Sequence, residues 1–173
     1  MARWSEIEAA APGFAGAIQQ RFESHLHHVL GTLTAAGAPR LSGTEVRFHG
    51  GDVWLGCMPS SLKAQDLRRD PRFALHSAPI EIEMTTGDAK VSGVVVEVTD
   101  PAAITAFMRA IGHGDAIPEG ETVDAGAATA FVCDVGSATL TRVDGDLRLE
   151  GGGMVRTEVR GDVLSNSAWM RNV

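Results

Sequence analysis

The 173-residue chain has little of several residue types, and each shortage removes a class of function. It contains no tyrosine, so one common general acid is missing. Its two cysteines, Cys57 and Cys133, fit neither a disulfide framework nor a zinc site by their spacing. A disulfide between them is not expected in a reducing compartment. No apolar run approaches the roughly 20 residues that a membrane-spanning helix needs.

Positive charge is also scarce, since 15 lysines and arginines face 22 acidic residues and the net charge is -7. Nucleic acid is therefore not an expected partner, because phosphate backbones require clustered excess lysine and arginine. The N-terminal stretch MARWSEIEAAAPGF lacks the charged-then-apolar layout of a signal peptide, which predicts a cytoplasmic protein. His25, His27 and His28 lie together, but a further ligand and a motif are missing, so no metal site is expected.

The chain does contain a series of short strand patterns framed by helices. Ser5 and Glu8 have capping-box spacing and predict a helix that runs to about residue 23, although Pro12 leaves open two short helices. Two further helices are predicted at residues 60–70 and 101–112. Strands are predicted at 28–36, 40–50, 52–58, 72–77, 80–86, 89–99, 129–143 and 147–159. Tight turns join most of them, which favours an antiparallel sheet that is closed or nearly closed into a barrel.

Lys63 lies near the N-terminus of a predicted helix, where the helix dipole disfavours a positive charge. Ser60 or Ser61 can cap this helix, and a capped N-terminus with a lysine beside it can hold a phosphate. The alternative is a solvated lysine that pairs with Asp66 three residues later. The local sequence leaves both interpretations open.

The second predicted strand is polar on both faces between Arg40 and Glu45, which indicates a lined pocket or a subunit interface, or alternatively an edge strand with a polar surface. Gly56, within the third strand, indicates the close approach of a ligand or another backbone. Cys57 beside it is expected to be packed rather than nucleophilic, because no neighbouring base activates it. Arg68 and Arg69 are predicted to lie on a solvated helix face.

These patterns, in this order, resemble the pyridoxamine 5'-phosphate oxidase-like family of FMN-binding split barrels. The resemblance covers about residues 20–145. The matching residues are Leu30 to Leu33, Gly37 and Pro39 in the first part, Ser61, Lys63, Leu67, Pro71 and Phe73 in the second, and Gly93 in VSGVVVEV.

The resemblance implies a mainly β protein, a six-stranded antiparallel split barrel with flanking helices. It implies one domain over residues 1–173, with the barrel at about 25–160, and a homodimer with FMN, or alternatively F420, between the subunits. Lys63 falls on the lysine that contacts the cofactor phosphate, with Ser61 beside it. The remaining cofactor-binding residues that it implies are Arg40, Leu41, Ser42 and Gly43 on the second strand and Gly56 and Cys57 on the third.

Three departures argue against oxidation of vitamin B6. Leu62 replaces a second basic residue before the lysine, the C-terminal tryptophan-then-arginine signature is absent, and Asp88 lies near a position where the oxidases use a glutamine toward the flavin. We therefore expect an FMN- or F420-dependent oxidoreductase acting on a small molecule, with no catalytic acid or base nominated, because the cofactor carries the hydride chemistry. The alternatives are a flavin- or haem-binding protein for storage, sensing or haem handling, and a dimeric scaffold whose pocket has decayed.

Overall fold

Six antiparallel strands close into a barrel in the computed structural model, which describes residues 1–79, 86–113, 115, 117–123, 128–144, 154–161 and 170–172. The strands are β1 (His27–Leu33), β2 (Pro39–His49), β3 (Asp52–Cys57), β4 (Arg72–His76), β5 (Asp88–Val98) and β6 (Thr129–Asp144). They follow the order β3-β2-β1-β4-β5-β6, and pairing of β6 with β3 closes the barrel. Two further strands, β7 (Met154–Gly161) and β8 (Met170–Asn172), continue the sheet beyond β6. The predicted antiparallel barrel is thus confirmed, while the strand predicted at 80–86 lies outside the described residues except at its last position.

Helices flank the barrel. They are α1 (Trp4–Ala10), α2 (Pro12–Glu23), α3 (Leu62–Arg69) and α4 (Pro101–Met108), and a π-helical turn at Arg109–His113 extends α4. No helix in the described part of the chain is long and apolar enough to cross a membrane.

The N-terminal segment forms two helices because Pro12 begins the second one, where its missing N–H costs nothing. The predicted capping box of Ser5 and Glu8 is wrong. The first helix begins earlier, and the backbone N–H of Arg3 donates to the Glu6 carboxylate at 2.8 Å. A tertiary contact fixes this start, since the Arg3 guanidinium binds the carboxylate of Asp52 at 2.6 Å.

Alternation along the strands fills the barrel with apolar side chains, and the two N-terminal helices add theirs to the same core. The buried strand residues include Leu30, Val46, Leu55, Phe73, Leu75, Val91 and Phe131, and the helical ones include Trp4, Ile7, Ile18 and Phe22. A second, smaller cluster lies outside the barrel, where Trp54 of β3 stacks on Phe107 of α4 with ring centroids 4.8 Å apart. This stacking holds α4 against the outer face of the barrel.

The sheet bends at a bulge between Ser92 and Gly93 of β5. A Cβ atom at Gly93 would lie 2.1 Å from the carbonyl oxygen of Asp134 on β6, so only glycine allows the two backbones to approach this closely.

One buried carboxylate attaches α3 to the barrel. The Asp66 side chain is only 4% exposed. It accepts hydrogen bonds from the Thr32 hydroxyl at 3.0 Å, from Arg40 Nε at 2.7 Å and from Arg69 Nη2 at 2.9 Å. Burial by itself would raise the pKa of Asp66, but the hydrogen bonds from Arg69, Arg40 and Thr32 outweigh it and lower the pKa. The carboxylate therefore stays charged and joins α3 to β1 and β2.

Arg68 and Arg69 lie on an exposed helix face as predicted, and both guanidinium groups also pair with carboxylates. Arg69 binds Asp66 and the carbonyl of Leu33, while Arg68 binds Glu97 on β5 at 2.6 Å. Contacts distant in sequence thus fix the helix that carries Lys63.

We predict that Asp66→Asn lowers the free energy of unfolding at pH 7 by on the order of 3 kcal/mol, because two arginines lose their buried counter-charge. The lowered folded-state pKa means that this stabilisation is complete above the unfolded pKa and is lost as pH falls through the folded pKa. Urea unfolding at several pH values measures both effects. Asp70→Asn is the control, since Asp70 pairs with the largely exposed Arg72 and should change stability far less. Equal effects of the two substitutions at pH 7 would show that Asp66 is not the anchor of α3.

Candidate functional site

An open cleft of about 410 Å³ lies on the outer face of the barrel, beside α4 and the start of α3. The residues that line it are His27, Gly43, Thr44, Glu45, Arg47, Gly56, Cys57, Met58, Pro59, Lys63, Phe107, Met108, Ile111, Ala128, Thr129 and Ala130. The charged residues Glu45 and Arg47 come from β2, whereas α4 and the turn that follows it contribute an apolar wall.

The floor of the cleft is made of small residues. The strand register places Glu45 opposite Gly56, and Gly56 opposite Ala130, so this row across β2, β3 and β6 contains almost no side chain at its centre. A Cβ atom at Gly43 would meet no atom within 4 Å, and one at Gly56 would meet only the Phe107 ring, at 3.8 Å. Flat ligand groups can therefore lie against the backbone here.

Lys63 places a positive charge at one end of the cleft. Ser61 caps α3 by accepting a hydrogen bond from the backbone N–H of Ala64 at 3.4 Å. The Lys63 ammonium, in the first turn of the helix, donates to the carbonyl oxygen of Gly43 at 2.7 Å. Lys63 thus binds Gly43 rather than pairing with Asp66, and its bond to a neutral carbonyl leaves its charge uncompensated.

Other positive charges near the cleft are paired with carboxylates. Arg47 lies 3.6 Å from Glu45 on the same strand. Arg68 pairs with Glu97 and also donates to the Pro59 carbonyl and the Thr129 hydroxyl, each at 3.0 Å. Since Pro59 and Thr129 both line the cleft, Arg68 fixes the spacing of its rim.

The eight residues that the resemblance nominates separate into three groups. Gly43, Gly56, Cys57 and Lys63 line the cleft, and Ser61 caps the helix beside it. Arg40 forms an ion pair with Asp66, and strand alternation places Ser42 on the same face of β2 as Arg40. Leu41 is 76% exposed and lines a different depression, of about 350 Å³, on the outer face of β1, β4 and β5.

Cys57 does not have the character of a nucleophile. It packs against the main core, and burial raises the pKa of its thiol despite the nearby charges of Lys63 and Arg68. The thiol is therefore protonated at neutral pH, in agreement with the packing role predicted from the sequence.

Sequence reasoning missed several residues that line the cleft. Glu45 and Arg47 follow Gly43 at intervals of two, so strand alternation alone could have placed them on the same face. Phe107, Met108 and Ile111 carried no such signal, because the packing of α4 on the barrel brings them to the cleft.

Among known proteins, the chain matches solved structures. No protein-family model and no curated protein matches the chain. A Clostridium acetobutylicum protein related to general stress protein 26, of the pyridoxinephosphate oxidase family, matches at TM-score 0.55 and 17% identity over 79% of this chain and 88% of that one. An F420 reductase matches at TM-score 0.52 and 18% identity, over 73% and 95% of the two chains.

A haem-binding protein from Mycobacterium smegmatis matches at TM-score 0.55 and 19% identity, over 84% of this chain and 57% of that one. At such identities the likeness shows the fold. The chain therefore has the split-barrel fold that its sequence led us to expect.

Proposed function

We propose that the cleft binds the phosphate and ring of a flavin or deazaflavin, FMN or F420, and that the protein is an oxidoreductase acting on a small molecule. The observation that carries this proposal is the uncompensated charge of Lys63 at the end of an open, glycine-floored cleft. A phosphate would give this ammonium a charged partner, and the free N–H groups at the capped start of α3 favour an anion in the same place.

The remainder of the cleft fits the rest of such a cofactor. Its volume of about 410 Å³ is in the range of ligand-binding clefts. Gly43 and Gly56 leave room for a planar ring, and Phe107, Met108 and Ile111 offer it an apolar wall. The dimensions and the chemistry of the cleft therefore agree with one ligand that has an anionic end and a flat, apolar body.

The bound cofactor would supply the hydride chemistry. The chain itself would bind and orient the cofactor. Lys63 would hold the phosphate, and the apolar wall from α4 would exclude water from one side of the ring. Glu45 and Arg47 also line the cleft, where they would contact a substrate. We assign no side chain to proton transfer.

A second copy of the chain is the partner that we propose for the outer face of β1, β2, β4 and β5. Leu41 is largely exposed there, beside Ala74, His76 and Lys90. The homodimer implied by the family resemblance would bury this leucine.

We expect Leu41→Lys to weaken dimerisation, because the substitution buries a charge at the interface. Sedimentation velocity measures the effect against Leu26→Lys, an equally large change at an exposed leucine outside this face. A native protein that stays monomeric at high concentration would refute the proposal.

A cofactor-binding protein without turnover is the second candidate. His27 lines the cleft, and one structure of the same fold is of a haem-binding protein. The absorption spectrum of the purified protein distinguishes flavin, deazaflavin and haem. Assays of substrate reduction with the reduced cofactor then separate an oxidoreductase from a storage or sensing protein.

We predict that Lys63→Ala weakens the binding of FMN and F420 by about tenfold or more, the size of a lost charge-assisted hydrogen bond. The affinity for riboflavin, which has the same ring as FMN but no phosphate, should change little. Fluorescence titration measures these constants, with Arg72→Ala as a control that removes an exposed positive charge outside the cleft. Unchanged affinities of Lys63→Ala for both phosphorylated cofactors would rule out the phosphate assignment.

We also predict that Gly43→Leu abolishes cofactor binding without unfolding the protein. Space above Gly43 is open and its backbone is that of an ordinary strand, so the new side chain fills the cleft rather than straining the fold. Gly16→Leu on α2 adds the same side chain at another open glycine and should leave binding intact. Thermal unfolding and cofactor titration of both variants provide the test. Retained binding by a folded Gly43→Leu variant would place the cofactor elsewhere.

A further inference from the structure

Most of the positive charge around the proposed phosphate position is neutralised within the protein. Arg68 is paired with Glu97 at 2.6 Å. Arg40 and Arg69 share the single carboxylate of Asp66, and neither of these arginines lines the cleft. Within the cleft, Arg47 lies 3.6 Å from Glu45, so their charges largely cancel. Among the charged residues described around the cleft, this leaves Lys63 as the cation without a carboxylate partner.

The residue before Lys63 adds no charge. Leu62 occupies the first position of α3 and is 57% exposed, so its side chain has room to be longer or charged without disturbing the core. A lysine or arginine at this position would provide the first turn of α3 with a second cation. With leucine, an anion bound there meets a single uncompensated positive charge.

Phosphate groups differ in how much charge they require a site to balance. A phosphomonoester carries about -1.5 to -2 at pH 7, because its second pKa is near 6. A phosphodiester has no second ionisable oxygen and carries one negative charge. A single cation balances a diester fully but leaves part of a monoester's charge unpaired.

We propose that the anion subsite at Lys63 selects a singly charged phosphodiester over a doubly charged phosphomonoester, and that Leu62 sets this selectivity. The inference rests on the proposed function and decides between its two cofactors. FMN ends in a phosphomonoester, whereas the phosphate of F420 is a diester. The subsite therefore favours the deazaflavin.

The test compares two ligands with one ring, FMN and its 5'-phosphate monomethyl ester, so that only the phosphate charge differs. Titrations at pH 8 keep the monoester doubly charged. We expect the native protein to bind the methyl ester at least as tightly as FMN. Leu62→Lys should raise the affinity for FMN relative to the ester by roughly fivefold, the size of one exposed ion pair. If the flavin ring binds too weakly, the same pair of phosphates on the deazaflavin ring replaces it.

Two control variants test whether the charge added at position 62 causes the change in relative affinity. Leu62→Gln removes the leucine without adding charge, and Ala36→Lys adds a lysine on the exposed turn between β1 and β2, away from the cleft. Both should keep the native ratio of the two affinities. The proposal fails if native protein binds FMN tenfold more tightly than the ester, or if Leu62→Lys leaves the ratio unchanged, and in both cases the proposed function stands. Absence of binding by every phosphorylated ligand on either ring would overturn the proposed function as well.

Discussion

The placement of α3 depends on the buried carboxylate of Asp66. This one group binds Thr32 on β1, Arg40 on β2 and Arg69 on α3, so it joins two barrel strands to the helix that carries Lys63. A buried charge of this kind is stable only when its partners are complete, which makes the position of the helix precise. Arg40 lies on the face of β2 opposite to Gly43 and Glu45, so its charge stays with Asp66 and does not enter the cleft.

The cleft forms because the strand register places small residues side by side on β3 and β6. Gly56 lies between Glu45 and Ala130 across three strands, so the barrel wall is thin at this point. Phe107 stacks on Trp54 immediately beside it and forms the apolar side of the depression. A barrel whose interior is filled with side chains has no space for a ligand inside, so a binding site must form on its outer face.

Local sequence patterns predicted the structural features that depend on neighbouring residues. They did not predict the features that depend on contacts between residues distant in sequence. Tight turns and alternation indicated the antiparallel barrel, and Pro12 marked the boundary between the first two helices. The pairing of Arg40 with Asp66 joins residues 26 positions apart, and no periodicity encodes it. The start of the first helix was misplaced for the same reason, because Arg3 is held by Asp52, 49 positions away. The strands, the helix cap at Ser61 and the glycine floor could be predicted, whereas the charge partners and the wall from α4 could not.

The charge distribution also bears on whether the cleft is the remnant of a lost site. A cleft without a ligand has no need of glycines at open positions, and a Cβ atom would fit without a clash at both Gly43 and Gly56. It has equally little need of Lys63, whose charge opposes the dipole of its own helix. Leu62, the residue before Lys63, adds no positive charge to the start of α3. One cation without a carboxylate partner and an open floor are the features that the proposed ligand, with a single negative charge, would require.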